Sequence, residues 1–196
     1  MLEFIKELDL AILLWVNSLH TPLWDSVMIF FTERFTWLPL YFVLVVLIIR
    51  REKLNSWLIF IFITLLIIFS DQLASGIMKP LVGRLRPCHD EAVQDLLYLA
   101  AGCGGKYGFF SSHAANSFAA LVFLSCYFRS RWCLILLIWA VGVSLSRVYL
   151  GVHYPLDIIM GAVSGVLIGY VMIHFYNKTK AMLQKKSLLY KKTEIH

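Results

Sequence analysis

Six apolar runs, at about 2–19, 23–49, 55–78, 111–128, 132–150 and 156–177, limit this 196-residue chain more than any other feature of it. Most approach the roughly 20 residues that an α-helix needs to cross a bilayer. Only 15% of the residues are charged while 60% are hydrophobic, a balance that excludes an ordinary soluble domain. The expected fold is all-α: a polytopic membrane bundle of about six transmembrane helices, with an outer-face loop between the third and fourth. One integral-membrane domain is expected over 1–177, followed by a basic cytoplasmic tail over 178–196 that is frayed, solvated or bound to lipid headgroups. The first run carries Glu3, Lys6, Glu7 and Asp9. It is read as spanning, with an interfacial amphipathic helix as the alternative. Those acids and the lack of a small-residue cleavage site argue against a removable signal. Glu33 and Arg34 interrupt the second run, which then either pairs them or begins as a separate piece.

Charge gives the orientation. Arg50, Arg51 and Lys53 separate runs two and three, and Arg129 and Arg131 separate runs four and five. Lys178, Lys180, Lys185, Lys186, Lys191 and Lys192 follow run six. If every run spans, these clusters share one side, and positive residues mark that side as cytoplasmic. The net charge of +6 therefore signals membrane anchoring, with no nucleic-acid partner expected. The other side receives 79–110, 146–154 and the His20-Thr21-Pro22 link, where the unusual polar residues gather.

On that side Lys79, Arg84 and Arg86 lie in a Pro- and Gly-punctuated stretch, with Pro80 expected to stop the third helix. Cations opposite the anchoring face argue for a bound anion. Ser111 or Ser112 is a good N-cap for the fourth helix, whose free N–H groups would face outward beside His113. In Ser146-Arg147-Val148-Tyr149-Leu150-Gly151-Val152-His153-Tyr154-Pro155-Leu156-Asp157, Pro155 suits a first helical position and Asp157 the first turn. A carboxylate in reach of His153 would make it a better base or nucleophile. Arginine's planar fork matches phosphate oxygens. The set reads as a cradle for a tetrahedral dianion, with one histidine to attack and one to protonate the leaving group. No Cys/His cluster has zinc spacing and the outer acids are too scattered for a two-metal site, so no metal or other cofactor is expected.

These residues resemble the type 2 phosphatidic acid phosphatase superfamily of membrane lipid phosphatases. The three-part signature reads here as Lys79 with six residues before Arg86-Pro87, then Ser111-Ser112-His113, then Ser146-Arg147 with five residues before His153 and three more before Asp157. The second part departs from the usual Pro-Ser-Gly-His, with Phe110 and Ser112 replacing proline and glycine. The resemblance implies His153 as nucleophile, Asp157 as its orienting carboxylate and His113 as general acid. Lys79, Arg86, Ser111, Arg147 and a backbone N–H near Ser112 would hold the phosphate. It implies a bacterial inner-membrane enzyme with its site facing the periplasm or exterior, whose partners are the bilayer and a lipid phosphate. Undecaprenyl diphosphate is the expected substrate, with lipid A, phosphatidylglycerophosphate and phosphatidic acid as alternatives. An anion or lipid transporter is the non-enzymatic alternative, disfavoured because the runs are apolar through their middles.

Other residues carry smaller expectations. Asp71 is read as a structural partner for a cation or helix end, and Arg84 as a headgroup contact or a solvated loop residue. Tyr149 and Tyr154 are assigned to an interfacial belt, and Asn116 and Ser117 to helix packing. Cys88 and Cys103 share the outer loop, where an oxidising compartment permits a disulfide. Cys126 and Cys133 are expected as reduced core residues. The acidic stretch His89, Asp90, Glu91, Asp95 reads as a lid with a short helix near 90–100.

Overall fold

The computed structural model describes residues 2–129 and 132–193. Arg131, one of the basic residues assigned to the fourth turn, and residues 194–196 of the tail lie outside the described residues. The described chain is helical, with a single isolated bridge between Leu85 and Tyr107 and no strand. Its α-helices are α1 (Leu2–Ser18), α2 (Pro22–Thr32), α3 (Leu38–Glu52), α4 (Ser56–Asp71), α5 (Lys79–Val82), α6 (Ser112–Phe128), α7 (Trp132–Tyr149) and α8 (Pro155–Thr193). Arg34–Val82 and Pro155–Lys186 are long and apolar enough to cross a membrane, and Cys133–Tyr149 is a shorter apolar helix. Large hydrophobic side chains such as Phe42 and Leu81 point outward, as lipid-facing surfaces do.

The second apolar run is two pieces. Thr21 caps α2 by accepting from the Trp24 amide, and Pro22 occupies the first turn. α2 ends where Glu33 turns extended, and a 3₁₀ turn over Arg34–Trp37 leads into α3. A second correction concerns Pro80. α4 runs into a π-helical stretch, Gln72–Met78, which re-registers the chain so that Pro80 falls in the first turn of α5. There its missing N–H needs no partner. Gly83, at φ 63°, ends the helix instead, because an αL position suits glycine.

α6 and α8 form the most extensive helix pair. Gly161, Gly165 and Gly169 recur every four residues on α8 and so line one face. A Cβ at Gly161 would meet the Ser111 carbonyl at 2.6 Å, and one at Gly169 the Ala119 carbonyl at 2.8 Å. At Gly165 it would run into the Ala115 carbonyl. Small residues at this spacing let backbones approach closely within a membrane. The core then fills with Leu66, Phe123, Leu136, Trp139 and Tyr176 from four helices.

At the end remote from the 83–111 loop, Lys180 pairs with Glu52 at 2.7 Å and Tyr127 donates to the same carboxylate at 3.0 Å. α8 continues past Asn177, and at Lys180 that ion pair holds it against the end of α3. Cys126 and Cys133 are exposed, not core, because they sit on the outward faces of α6 and α7. Tyr149 and Tyr154 are buried, not belt residues. Their hydroxyls donate to Asp25 at 2.7 Å and Asp90 at 3.2 Å, which ties α2 and the loop to the α7–α8 turn.

Candidate active site

The α7–α8 turn brings the third motif to one point. Gly151, at φ 69°, reverses the chain, and the amides of Val152 and His153 both donate to the Arg147 carbonyl. Tyr154 ends the turn, and α8 begins at Pro155 with Asp157 in its first turn. His153 and Asp157 are both fully buried. Nδ1 of His153 hydrogen-bonds Oδ2 of Asp157 at 3.3 Å, and the Tyr154 amide donates to the same oxygen at 3.1 Å. Nε2 of His153 is buried without a hydrogen-bond partner among the described residues. Burial first, and then the positive charges of Arg86, Arg147, Lys79 and Arg84, hold this imidazole well below the usual histidine range. It is a neutral ring with one nitrogen tied and the other free.

The second motif meets the third through the backbone. The Ser111 amide donates to the Asp157 carbonyl at 3.0 Å, and Ser111 Oγ caps α6 on the Ala114 amide. His113 then follows in the first turn of α6, within electrostatic reach of His153, Arg147, Lys79 and Arg86. Lys79 Nζ donates to Ser112 Oγ at 3.4 Å, which joins the first motif to the second. Arg86 is buried, and two loop carbonyls fix its guanidinium: Cys103 accepts from Nη1 at 2.6 Å and Tyr107 from Nε at 3.3 Å. Cys88 and Cys103 are bridged, their Cα atoms 6.0 Å apart, so the bridge and the Arg86 contact share one loop. Arg147 Nη1 donates to Thr32 Oγ1 at 2.5 Å, and its Nε has no hydrogen-bond partner among the described residues. The eight residues expected to attack, protonate or hold the phosphate therefore converge on one end of the bundle.

Two residues that the motif reading undervalued also stand here. Arg84 is not a free, solvated loop residue but is held between two carboxylates. Its Nη1 donates to Asp157 Oδ1 at 3.0 Å and its Nη2 to Asp9 Oδ2 at 2.6 Å. Asp9 is buried although it lies in α1. The available signal was an acid inside an apolar run, which is expensive without a partner. Asp71 lines a cavity and stands within electrostatic reach of Lys79, in keeping with a partner for a cation; Asn116 and Ser117 line the cavity too. That cavity, of about 520 Å³, opens beside Ser112 and His113 and descends between walls that include Trp37, Tyr41, Leu44, Ile63, Leu136 and Val143. The lid stretch forms only short 3₁₀ turns, Pro87–His89 and Gln94–Leu96.

A cationic, half-dry chamber at the end of an apolar bundle, continuous with a greasy cavity, suits a molecule that is phosphate at one end and hydrocarbon at the other. That is the class the fold and site define: membrane proteins working on phosphorylated lipids. The chain belongs to the PAP2 superfamily, which it matches over residues 57–181. It is a membrane lipid phosphatase, a hydrolase of phosphoric esters. Over 188 residues it is 40% identical to a lipid A 4'-phosphatase of Bacteroides thetaiotaomicron, covering 94% of this chain and 84% of the relative. A lipid A 4'-phosphatase of Porphyromonas gingivalis is 31% identical over 182 residues, covering 89% and 75%. The fold is similar to the crystal structure of a transmembrane PAP2-type phosphatidylglycerolphosphate phosphatase from Bacillus subtilis, with a TM-score of 0.69 at 23% identity over 89% of this chain and 87% of that one.

Proposed function

We propose that this protein removes a phosphate monoester from a lipid of the lipid A type, through a phosphohistidine at residue 153. The observation that carries the reading is the state of the His153 ring: Nδ1 held by Asp157, Nε2 unpartnered, and cations on every side. Nε2 attacks phosphorus, and the bond from phosphorus to the sugar oxygen breaks as His113 gives that oxygen a proton. The alcohol leaves. Asp157 steadies the positive charge that the ring acquires as its N–P bond forms. Lys79, Arg86, Arg147, Ser111 and the amide at Ser112 hold the phosphoryl oxygens, where charge develops. Water then attacks the phosphohistidine while His113 accepts its proton, releasing inorganic phosphate and restoring both rings.

Two relatives bearing the lipid A 4'-phosphatase name move the substrate away from undecaprenyl diphosphate, the first expectation. Little in the residues themselves favoured the isoprenoid. We further propose six membrane passes, with α2 and α3 together making the second, α4 with α5 the third, and the site on the periplasmic face of the inner membrane. The basic clusters at Arg50, Arg51, Lys53 and Lys178 onward support that orientation. Residues 1–177 form the phosphatase domain in this reading, and 178–196 a basic cytoplasmic extension.

Phosphate release from a panel of lipid A, undecaprenyl diphosphate, phosphatidylglycerophosphate and phosphatidic acid in detergent tests the assignment. Lipid A is expected to be turned over fastest. A clear preference for the isoprenoid diphosphate would reverse the substrate reading.

A further inference from the structure

α1 enters the site through one side chain. Asp9 is 4% exposed, and both of its carboxylate oxygens are used. Oδ2 accepts from Arg84 Nη2 at 2.6 Å, and Oδ1 accepts from the Leu156 amide at 2.8 Å. That amide lies in the first turn of α8, where N–H groups have no partner within the helix. On its other side Arg84 reaches Asp157, and its guanidinium carbon lies 3.9 Å from the centre of the Tyr154 ring. The loop packs over the pair without slack. The Gly108 amide donates to the Arg84 carbonyl at 2.8 Å, and a Cβ on Gly108 would sit 2.8 Å from Asp157 Oδ2. The result is an unbroken line of contacts: Asp9, Arg84, Asp157, His153.

The charges in that line have opposing effects. Alone, Arg84 would draw the negative charge of Asp157 toward itself and away from the imidazole. A second carboxylate on the far side of the guanidinium divides that pull. We propose that Asp9 is a positioning residue for His153: acting through Arg84, it leaves the charge of Asp157 available to the ring, and through the Leu156 amide it fixes the turn that carries Asp157. This inference rests on His153 being the nucleophile. It also accounts for an acid in the middle of an apolar N-terminal helix.

The test is Asp9→Asn, assayed as phosphate release from lipid A in detergent between pH 4 and 9. The groups facing His153 are Asp157 of α8, Arg84 and Arg86 of the loop, Lys79 of α5, Arg147 of α7 and His113 of α6. Only Asp157 among them is negative. With Asp9 neutralised, Arg84 bears wholly on Asp157 and the protonated ring is stabilised less. The acid limb of kcat/KM, which reports the hydrogen-bonded His153–Asp157 pair as a unit, is expected to move to lower pH by about half a unit. The plateau is expected to fall about tenfold, as when a group supporting a catalytic ligand is lost. A fall in rate with the limb unmoved would mean a merely structural role and would overturn the proposal, as would an unchanged enzyme.

Two further variants protect the conclusion. In an Arg84→Gln background Asp9→Asn should change neither plateau nor limb, since the charge route to Asp157 is gone and the asparagine Oδ1 can still accept from the Leu156 amide; additive effects would overturn the proposal. If Asp9→Asn does not accumulate folded, Asp9→Glu keeps the charge and should keep the wild-type limb, whereas a shifted limb would count against us. His153→Ala is run in parallel. Activity retained there would sink the phosphohistidine reading itself, while a dead His153→Ala beside an unaltered Asp9→Asn would sink this inference alone.

Discussion

The amide of Ser111 donates to the carbonyl of Asp157 at 3.0 Å, so one backbone hydrogen bond joins the start of α6 to the start of α8. His113 and His153 hang from either side of that bond. Their relative placement is therefore set by how closely two helices approach, and the glycines of α8 govern the approach. A site made of residues forty positions apart behaves as one unit because its two halves share a single backbone junction.

Gly165→Val should separate the halves. The added carbons have nowhere to go against the Ala115 carbonyl, and overpacking of this kind costs about 1–3 kcal/mol. Thermal unfolding in detergent is expected to shift downward by several degrees, with phosphate release falling by at least tenfold. Gly102→Ala serves as the control, since a Cβ there meets nothing within 4 Å.

Activity should persist into mild acid even as His153 costs stability there. Burial and four cations hold the His153 ring below the ordinary value of 6.5. The unfolded ring binds its proton near that ordinary value, so below it the unfolded state carries more protons and His153 subtracts stability as the pH falls toward its folded pKa. Between those two values the folded ring stays neutral. The acid limb of kcat/KM is thus expected clearly below pH 6.5, and a limb at or above 6.5 would show that the ring is not held as described.

The bridge between Cys88 and Cys103 should matter to turnover as well as to stability. The Cys103 carbonyl accepts from Arg86 Nη1, so the closed loop also aims a guanidinium. Closing a loop of this size stabilises by roughly 3 kcal/mol on the chain-entropy view. Replacing both cysteines with serine is expected to lower the melting temperature and raise KM several-fold, with lipid-phosphate titrations as the readout.

Vanadate should inhibit and chelators should not. A five-coordinate vanadate on His153 would resemble the phosphoryl group in flight, held by Lys79, Arg86 and Arg147. Micromolar inhibition relieved by raising the lipid-phosphate substrate concentration is expected, with full activity after prolonged treatment with a divalent-metal chelator.

The motif residues were readable because their spacing along the chain carries the geometry. Lys79, Arg86, Ser111, Ser112, His113, Arg147, His153 and Asp157 all meet at one end of the bundle. What was not readable depends on tertiary contacts. Arg84 and Asp9 are 75 positions apart, and nothing local reveals that they pair. Tyr149 and Tyr154 have the composition of belt residues, and only their partners Asp25 and Asp90 show otherwise. Pro80 obeys its local rule, but the π-helical register moves it to a position where the rule has no consequence. The break at Glu33 was legible as a charged interruption, whereas the direction the chain takes after it was not.

The most direct test is chemical. The wild-type protein, mixed with phosphate-labelled lipid A and quenched in base within milliseconds, should carry phosphate during turnover. Peptide mapping is expected to place an acid-labile, base-stable phosphate on the imidazole of residue 153. Label on a different residue, or release of inorganic phosphate at the wild-type rate by a protein lacking that imidazole, would contradict the account.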